Sequence, residues 1–80
     1  GGAIESIGTN VSLISGNFSG NSASTHSGAI EVFNASTLTV NSTTFSNNTA
    51  TYISGALTAS YVQQVSFIND TFTGNHSEYA

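Results

Sequence analysis

Apolar and polar residues alternate in short stretches that return at a fixed interval along this chain. Val11-Ser12-Leu13 reads apolar–polar–apolar, and the same order recurs in Leu38-Thr39-Val40 and Val65-Ser66-Phe67. A second stretch follows a glycine in each copy, as in Ala29-Ile30-Glu31. Alternation over so few residues is typical of short β-strands. Because no window shows a helical period and proline is absent, we expect an all-β chain.

The same stretches define a repeat. An F-x-x-N block recurs at intervals of 27 residues, and a G-A-[IL] block recurs after 26 and then 27 residues. A unit this short cannot bury an apolar face alone, so its copies must stack on one another. We therefore predict a parallel β-helix, or β-solenoid, with three rungs of about 27 residues each. It forms a single module over residues 1–80, with repeats 1–26, 27–53 and 54–80.

Stacking at this interval places like residues on like residues. It predicts an aromatic column, an aliphatic column and a column of asparagines whose amides bond from rung to rung. The acidic or polar residue that follows each aliphatic position should face outward, because successive side chains of a strand alternate. The predicted ladders are Phe18, Phe45 and Phe72; Asn21, Asn48 and Asn75; and Ile4, Ile30 and Leu57.

Small residues mark the expected bends of the chain. Gly2, Gly28 and Gly55 share one phase of the repeat, so we expect a bend where a side chain would clash or where φ is positive. Gly16-Asn17 and Ser19-Gly20 carry the residue types of turns.

Composition limits the partners of the chain. It has no lysine and no arginine, and its four acidic residues give a formal net charge of −4. A nucleic-acid partner is not expected, because binding it requires cations that displace counterions from phosphate. Membrane insertion is not expected either, because the longest apolar run is far shorter than a membrane span. Cysteine is also absent, so stacking must supply the stability that disulfides give many small domains.

The ionisable residues do not indicate an enzyme. Glu5 and Glu31 would lie one rung apart on the outer face, with no basic residue beside them in the sequence. Two solvated acids are a better interpretation than a pair of glycosidase carboxylates. His26 and His76 fall at different phases of the repeat, so we expect neither a metal site nor a catalytic triad. No catalytic residue, metal or cofactor is predicted.

Asparagines carry the one pattern that points to a modification. Seven of the nine asparagines begin an Asn-x-Ser/Thr sequence, where chance would give roughly three. The excess is typical of N-glycosylation in a secretory pathway, although asparagine and serine also cluster in the turns of β-helices. Asn10 and Asn34 fall between the two predicted strands and are the best acceptors, whereas Asn75 belongs to the inward column. The remaining candidates are Asn47, Asn17, Asn69 and, with uncertain facing, Asn41.

The paired motifs GGAI and F-x-x-N, present as GGAI/FSGN, SGAI/FSNN and SGAL/FTGN, resemble the repeats of the chlamydial polymorphic membrane protein family. The resemblance covers all three copies. It implies a parallel β-helix, an address at the cell surface or outside the cell, and a role in adhesion. The chain departs from that family in having no cysteine, lysine or arginine.

The repeat itself favours a structural role. Neither end of the sequence carries a polar capping repeat, which solenoids need to remain soluble. We expect the two ends to be complementary, so that copies stack head to tail into an extracellular filament that could be coated with glycans. The alternative is a fragment of an adhesin passenger that binds host or surface glycans or proteins. A carbohydrate-active enzyme is the third and least favoured class.

Overall fold

A computed structural model describes residues 2–78, which form ten β-strands and no α-helix. Residue 1 and residues 79 and 80, at the outer limits of the predicted repeats 1–26 and 54–80, lie outside the described residues. Within residues 2–78 no helix has the length and apolarity to cross a membrane. The strands are β1 (Ile4–Ile7), β2 (Val11–Ile14), β3 (Asn17–Ser19), β4 (Ser22–Ala23), β5 (Ile30–Asn41), β6 (Thr44–Ser46), β7 (Thr49–Ala50), β8 (Leu57–Ile68), β9 (Thr71–Thr73) and β10 (His76–Ser77).

The strands form three separate parallel sheets. In the largest sheet both β1 and β2 pair with β5, and β5 pairs with β8 on its other side. The second sheet has the order β3-β6-β9 and the third has the order β4-β7-β10. The chain visits the three sheets in the same order three times. The prediction of an all-β chain is therefore confirmed.

The register follows the repeat, with one local difference. Ile7 pairs with Phe33 at an offset of 26, and Val11 pairs with Leu38 at an offset of 27. The first repeat is therefore one residue shorter than the second between these two pairs. This explains why the first repeat has two strands, β1 and β2, where the second and third each have one continuous strand of 12 residues.

Burial is concentrated in the middle repeat. Leu38 and Phe45 are fully buried, whereas their third-repeat counterparts Val65 and Phe72 are 43% and 47% exposed. Only the middle repeat has a neighbour on both sides, so only its apolar side chains lose all contact with water. The core consists of Ala29, Ile30, Val32, Ala35, Leu38, Val40, Phe45 and Ala56.

In the second and third repeats one bend lies inside the long strand, in addition to bends between strands such as the one at Ser42. Asn34 in β5 and Tyr61 in β8 have φ values of +60° and +55°, and Gly8 has +75° at the same place in the first repeat. The expectation that Asn34 lies in a segment between two strands is therefore wrong. The backbone turns at a single left-handed residue, and the parallel ladder continues on both sides of it. The turn expected at Gly16-Asn17 lies slightly earlier, because Ser15 has a φ of +56° and Asn17 already begins β3.

Gly28 shows why glycine recurs at this phase of the repeat. Its φ is not positive, but a Cβ atom there would overlap the carbonyl oxygen of Gly55 and lie 2.6 Å from the Thr49 nitrogen. Gly2 meets Gly28 in the same way. Of the two reasons expected from the sequence, the close approach of two backbones is therefore the correct one.

Candidate functional site: side-chain ladders and open edges

The aromatic ladder runs through the second sheet. Phe18 pairs with Phe45, and Phe45 pairs with Phe72. The ring centroids are 5.2 Å and 4.7 Å apart, and the ring planes differ by 11° and 3°. Aromatic pairs at these distances contribute beyond the area that they bury. The aliphatic positions Ile4, Ile30 and Leu57 are likewise register partners in the first sheet.

The asparagine ladder forms a continuous chain of hydrogen bonds. Asn21 donates from Nδ2 to Oδ1 of Asn48 at 3.1 Å, and Asn48 donates to Oδ1 of Asn75 at 2.8 Å. Each Oδ1 also accepts the backbone N–H of the preceding asparagine, at 2.9 Å and 3.0 Å. The amides of Asn48 and Asn75 donate as well to the carbonyl oxygens of Phe18 and Phe45. The buried amide of Asn48 is thus fully used.

A second polar column was not apparent in the sequence. The backbone N–H of Gly16 donates to Thr43 Oγ1 at 3.3 Å, and the N–H of Thr43 donates to Asp70 Oδ1 at 2.8 Å. Like the asparagine Oδ1 atoms, Thr43 Oγ1 and Asp70 Oδ1 each accept a hydrogen bond from a backbone N–H of the preceding repeat. Within residues 2–78 the other carboxylate oxygen of Asp70 is buried without a hydrogen-bond partner.

Asn10 compensates for the missing residue of the first repeat. Its Oδ1 accepts hydrogen bonds from the backbone N–H groups of Ser36 at 2.9 Å and Thr37 at 3.0 Å. These groups lie where the register shifts between β1 and β2. A side-chain carbonyl therefore replaces a strand carbonyl, a role that the glycosylation motif did not predict.

The candidate acceptor asparagines differ in their surroundings. Asn41 is half-buried and its Oδ1 accepts a hydrogen bond from the Ser42 hydroxyl. Asn75 is half-buried in the ladder, as its phase suggested. The exposed candidates are Asn10, Asn17, Asn34, Asn47 and Asn69.

The acidic residues of the first sheet have closer partners than expected. Glu5 and Glu31 are register partners, but the side chain of Glu31 is only 18% exposed and its Oε2 lies 3.2 Å from Nδ1 of His26. The expectation of two solvated acids is therefore wrong for Glu31, which is largely shielded from water and contacts His26. Close by, the Ser27 hydroxyl donates to the hydroxyl of Thr58.

This group of side chains does not resemble a catalytic centre. His26 pairs with Ile53 while His76 pairs with Thr49, so the two histidines belong to different columns. Over residues 2–78 no three histidine, cysteine or acidic side chains group as metal ligands, and no cavity forms.

The most distinctive surface is the open edge of the third repeat. The inward-facing positions Val65, Phe67 and Phe72 are 43%, 46% and 47% exposed. Phe67 and Phe72 meet edge to face, with centroids 5.8 Å apart. Their second-repeat partners Val40 and Phe45 are fully buried. This edge therefore presents apolar side chains to water, and within residues 2–78 each of its strands is paired on one side only.

Comparisons of the chain with protein-family models, with curated proteins and with solved structures found no match. The resemblance to the polymorphic membrane protein repeats therefore rests on the motifs alone.

Proposed function

We propose that this chain is a parallel β-helix structural unit that stacks end to end with copies of itself into a filament at the cell surface or outside the cell. Three parallel sheets are the evidence for a coil. The chain passes through them in a constant order, and residues paired between neighbouring repeats are 26 or 27 positions apart. In such a coil each sheet is one face, and each repeat is one rung.

The observation that carries the proposal is the difference in burial between equivalent residues. Phe45, which has a ring on both sides, is fully buried, whereas Phe72, which has a ring on one side, is 47% exposed. The same contrast separates Leu38 from Val65. A further rung on the third repeat would remove this apolar surface from water.

A second copy offers matching side chains at the same phase. Continuing the register places Phe18 of the next copy on Phe72, and Val11 of that copy on Val65. The asparagine ladder continues too, because Asn21 of the next copy brings an Oδ1 acceptor of the kind that Asn75 provides for Asn48. The contact joins two different surfaces, so it need not close and produces a fibre.

No enzymatic activity is part of this proposal, and the unit needs no cofactor. Its partners are further copies of itself and covalently attached glycans. The alternative function is that of an adhesin passenger fragment, in which adjoining rungs belong to one longer chain. In that case the open edges are covered by covalent neighbours of the longer chain.

Assembly of the 80-residue chain tests the proposal. Wild-type protein should form filaments above a critical concentration, as seen by light scattering and electron microscopy. Ile4→Lys should block stacking, because it places an unpaired cation in the junction. Ser12→Lys is the matched control, since it adds the same charge at an exposed outward position of the same repeat, and it should still assemble.

Ile4→Lys also provides a test that separates blocked assembly from unfolding. Only its first-repeat edge is altered, so its third-repeat edge should still bind the end of a wild-type filament. Small amounts of folded Ile4→Lys should therefore slow the elongation of wild-type filaments, whereas unfolded protein should not. Wild-type protein that remains monomeric at high concentration, or filaments formed by Ile4→Lys, would contradict the proposal and favour the adhesin fragment.

A further inference from the structure

An exposed aromatic pair, Phe33 and Tyr61, lies next to the glycosylation motif that begins at Asn34. In β5 the strict alternation of inward and outward side chains is interrupted at Asn34, whose φ is +60°. As a result, Phe33 and Asn34 are consecutive and both exposed, with Phe33 at 39%.

The neighbouring repeats shape the surroundings of Asn34. On one side is Tyr61, which is 80% exposed and meets Phe33 edge to face with centroids 5.3 Å apart. On the other side is Gly8, whose N–H donates to the Phe33 carbonyl at 2.9 Å. A Cβ atom on Gly8 would meet nothing within 4 Å. Asn34 thus directly follows Phe33 and lies opposite Tyr61 in the register, with open space over Gly8.

We propose that Asn34 carries an N-linked glycan whose first sugar ring packs against Phe33 and Tyr61. Asn34-Ala35-Ser36 is an acceptor sequence. Asn34 Nδ2 would form a bond to the anomeric carbon of N-acetylglucosamine from a lipid diphosphate-linked oligosaccharide. The lipid diphosphate leaves, and Nδ2 loses one proton. The C–H groups on one face of a pyranose carry partial positive charge, which suits the negative face of an aromatic ring.

Two of the other exposed motifs, those of Asn10 and Asn17, lack this arrangement. Asn10 is already engaged through Oδ1 with Ser36 and Thr37. Asn17 is exposed, but its neighbour Phe18 is half-buried and stacks on Phe45. Among the exposed acceptor asparagines of residues 2–78, Asn34 alone directly follows an exposed aromatic residue, and Asn17 is a suitable control.

This inference rests on the proposed exposure of the chain to a secretory pathway, but it does not depend on filament formation. The full chain should be expressed in a eukaryotic secretory host, and occupancy of each asparagine should be measured by mass spectrometry after digestion with chymotrypsin. We expect Asn34 to be modified. An unmodified Asn34 would overturn the inference, while assembly of unglycosylated bacterial protein would still test the stacking proposal separately.

Thermal unfolding then tests the ring contact. Ser36→Ala, which prevents modification of Asn34, should lower the Tm of secreted protein by about 4 °C, a shift that a single contact can produce in so small a domain. It should leave the Tm of unglycosylated bacterial protein unchanged. Ser19→Ala, which removes only the Asn17 motif, should change neither value.

Phe33→Ala identifies the aromatic contribution. In this background the effect of Ser36→Ala on the secreted protein should fall to less than half. NMR of the protein trimmed to one N-acetylglucosamine per site should show upfield-shifted sugar protons with cross-peaks to the rings of Phe33 and Tyr61. An unchanged glycan effect in Phe33→Ala, or binding of free N-acetylglucosamine to the aromatic pair at micromolar concentration with Asn34 unmodified, would overturn the inference.

Discussion

Replacing Asn48 by leucine should destabilise the chain far more than the change in side-chain size suggests. Asn48 is fully buried at the centre of the asparagine ladder. Its Oδ1 accepts two hydrogen bonds from Asn21, and its Nδ2 donates to Asn75 Oδ1 and to the Phe18 carbonyl. Leucine is of similar size, so the substitution leaves no large cavity. The effect comes from the polar groups that lose their partners.

The magnitude follows from which of these groups retain a partner. Asn75 Oδ1 still accepts the backbone N–H of residue 48, and the half-buried amide of Asn21 can turn towards water. The backbone N–H of Asn21 and the carbonyl of Phe18 lose the bonds that Asn48 made to them. The Phe18 carbonyl lies in the ladder between β3 and β6, so it keeps a strand partner. The N–H of Asn21 is then the one backbone group left without its partner, and a buried polar group in that state costs about 1–3 kcal/mol.

Asn21→Leu is the matched control. That substitution removes one side-chain donor to Asn48, whose Oδ1 keeps the backbone N–H of residue 21. No backbone group loses its partner, so the expected loss is about 1 kcal/mol. The two variants thus make the same chemical change at two rungs of one ladder, and they differ in how many neighbours depend on the amide.

Urea unfolding followed by far-UV circular dichroism would measure both effects on unglycosylated protein below its assembly concentration. The midpoints should shift with an unchanged slope if the unfolded state is unaffected. Should Asn48→Leu be unfolded in buffer, an excluded osmolyte such as trimethylamine N-oxide can restore a measurable transition in both variants. A loss for Asn48→Leu no greater than that for Asn21→Leu would refute the hydrogen-bond argument.

Phe45→Ala tests the aromatic ladder, and Gly28→Ala tests the glycine column, with Gly20→Ala as its control. Phe45→Ala removes a fully buried ring that stacks on both neighbours, so it should cost about 3–5 kcal/mol in urea unfolding; an unchanged midpoint would mean that the rings do not stack. Gly28→Ala should prevent folding, because its Cβ would overlap the Gly55 carbonyl. Gly20→Ala, with φ of +69° and open space around it, should fold and lose about 1 kcal/mol. Equal circular dichroism spectra for the two glycine variants would contradict the close approach.

The sequence predicted the parts of the structure in which equivalent positions carry equivalent residues. Phe18, Phe45 and Phe72 repeat at a constant interval, and a parallel register then brings them together. The column through Thr43 and Asp70 cannot be recognised from the sequence, because its members are different residue types. They share only a side-chain oxygen that accepts a backbone N–H. Periodicity of residue names detects the first kind of column and misses the second.

The bend through Gly8, Asn34 and Tyr61 was missed for a related reason. All three residues have a left-handed backbone. In a sequence, only glycine and, more weakly, asparagine indicate this conformation. A tyrosine in this conformation is uncommon, and it is imposed by the stacked neighbours rather than by its own preference. The role of Asn10 depends on a one-residue difference between repeats, which becomes meaningful only when the register is known.

The acidic residues add a reason why stacking of copies would be tolerated in a chain that has no cations. Glu5 and Glu31 are register partners, and the column continues to Thr58 rather than to a third acid. In a stack of copies, Glu5 of the next copy would lie over Thr58, so the junction itself brings no two carboxylates together. Like charges directly opposite each other destabilise a sheet. In the proposed filament, the break in the acidic column at Thr58 would therefore remove the local repulsion that a perfectly repeated acid would place at every junction. The apolar and amide columns would then determine how copies join.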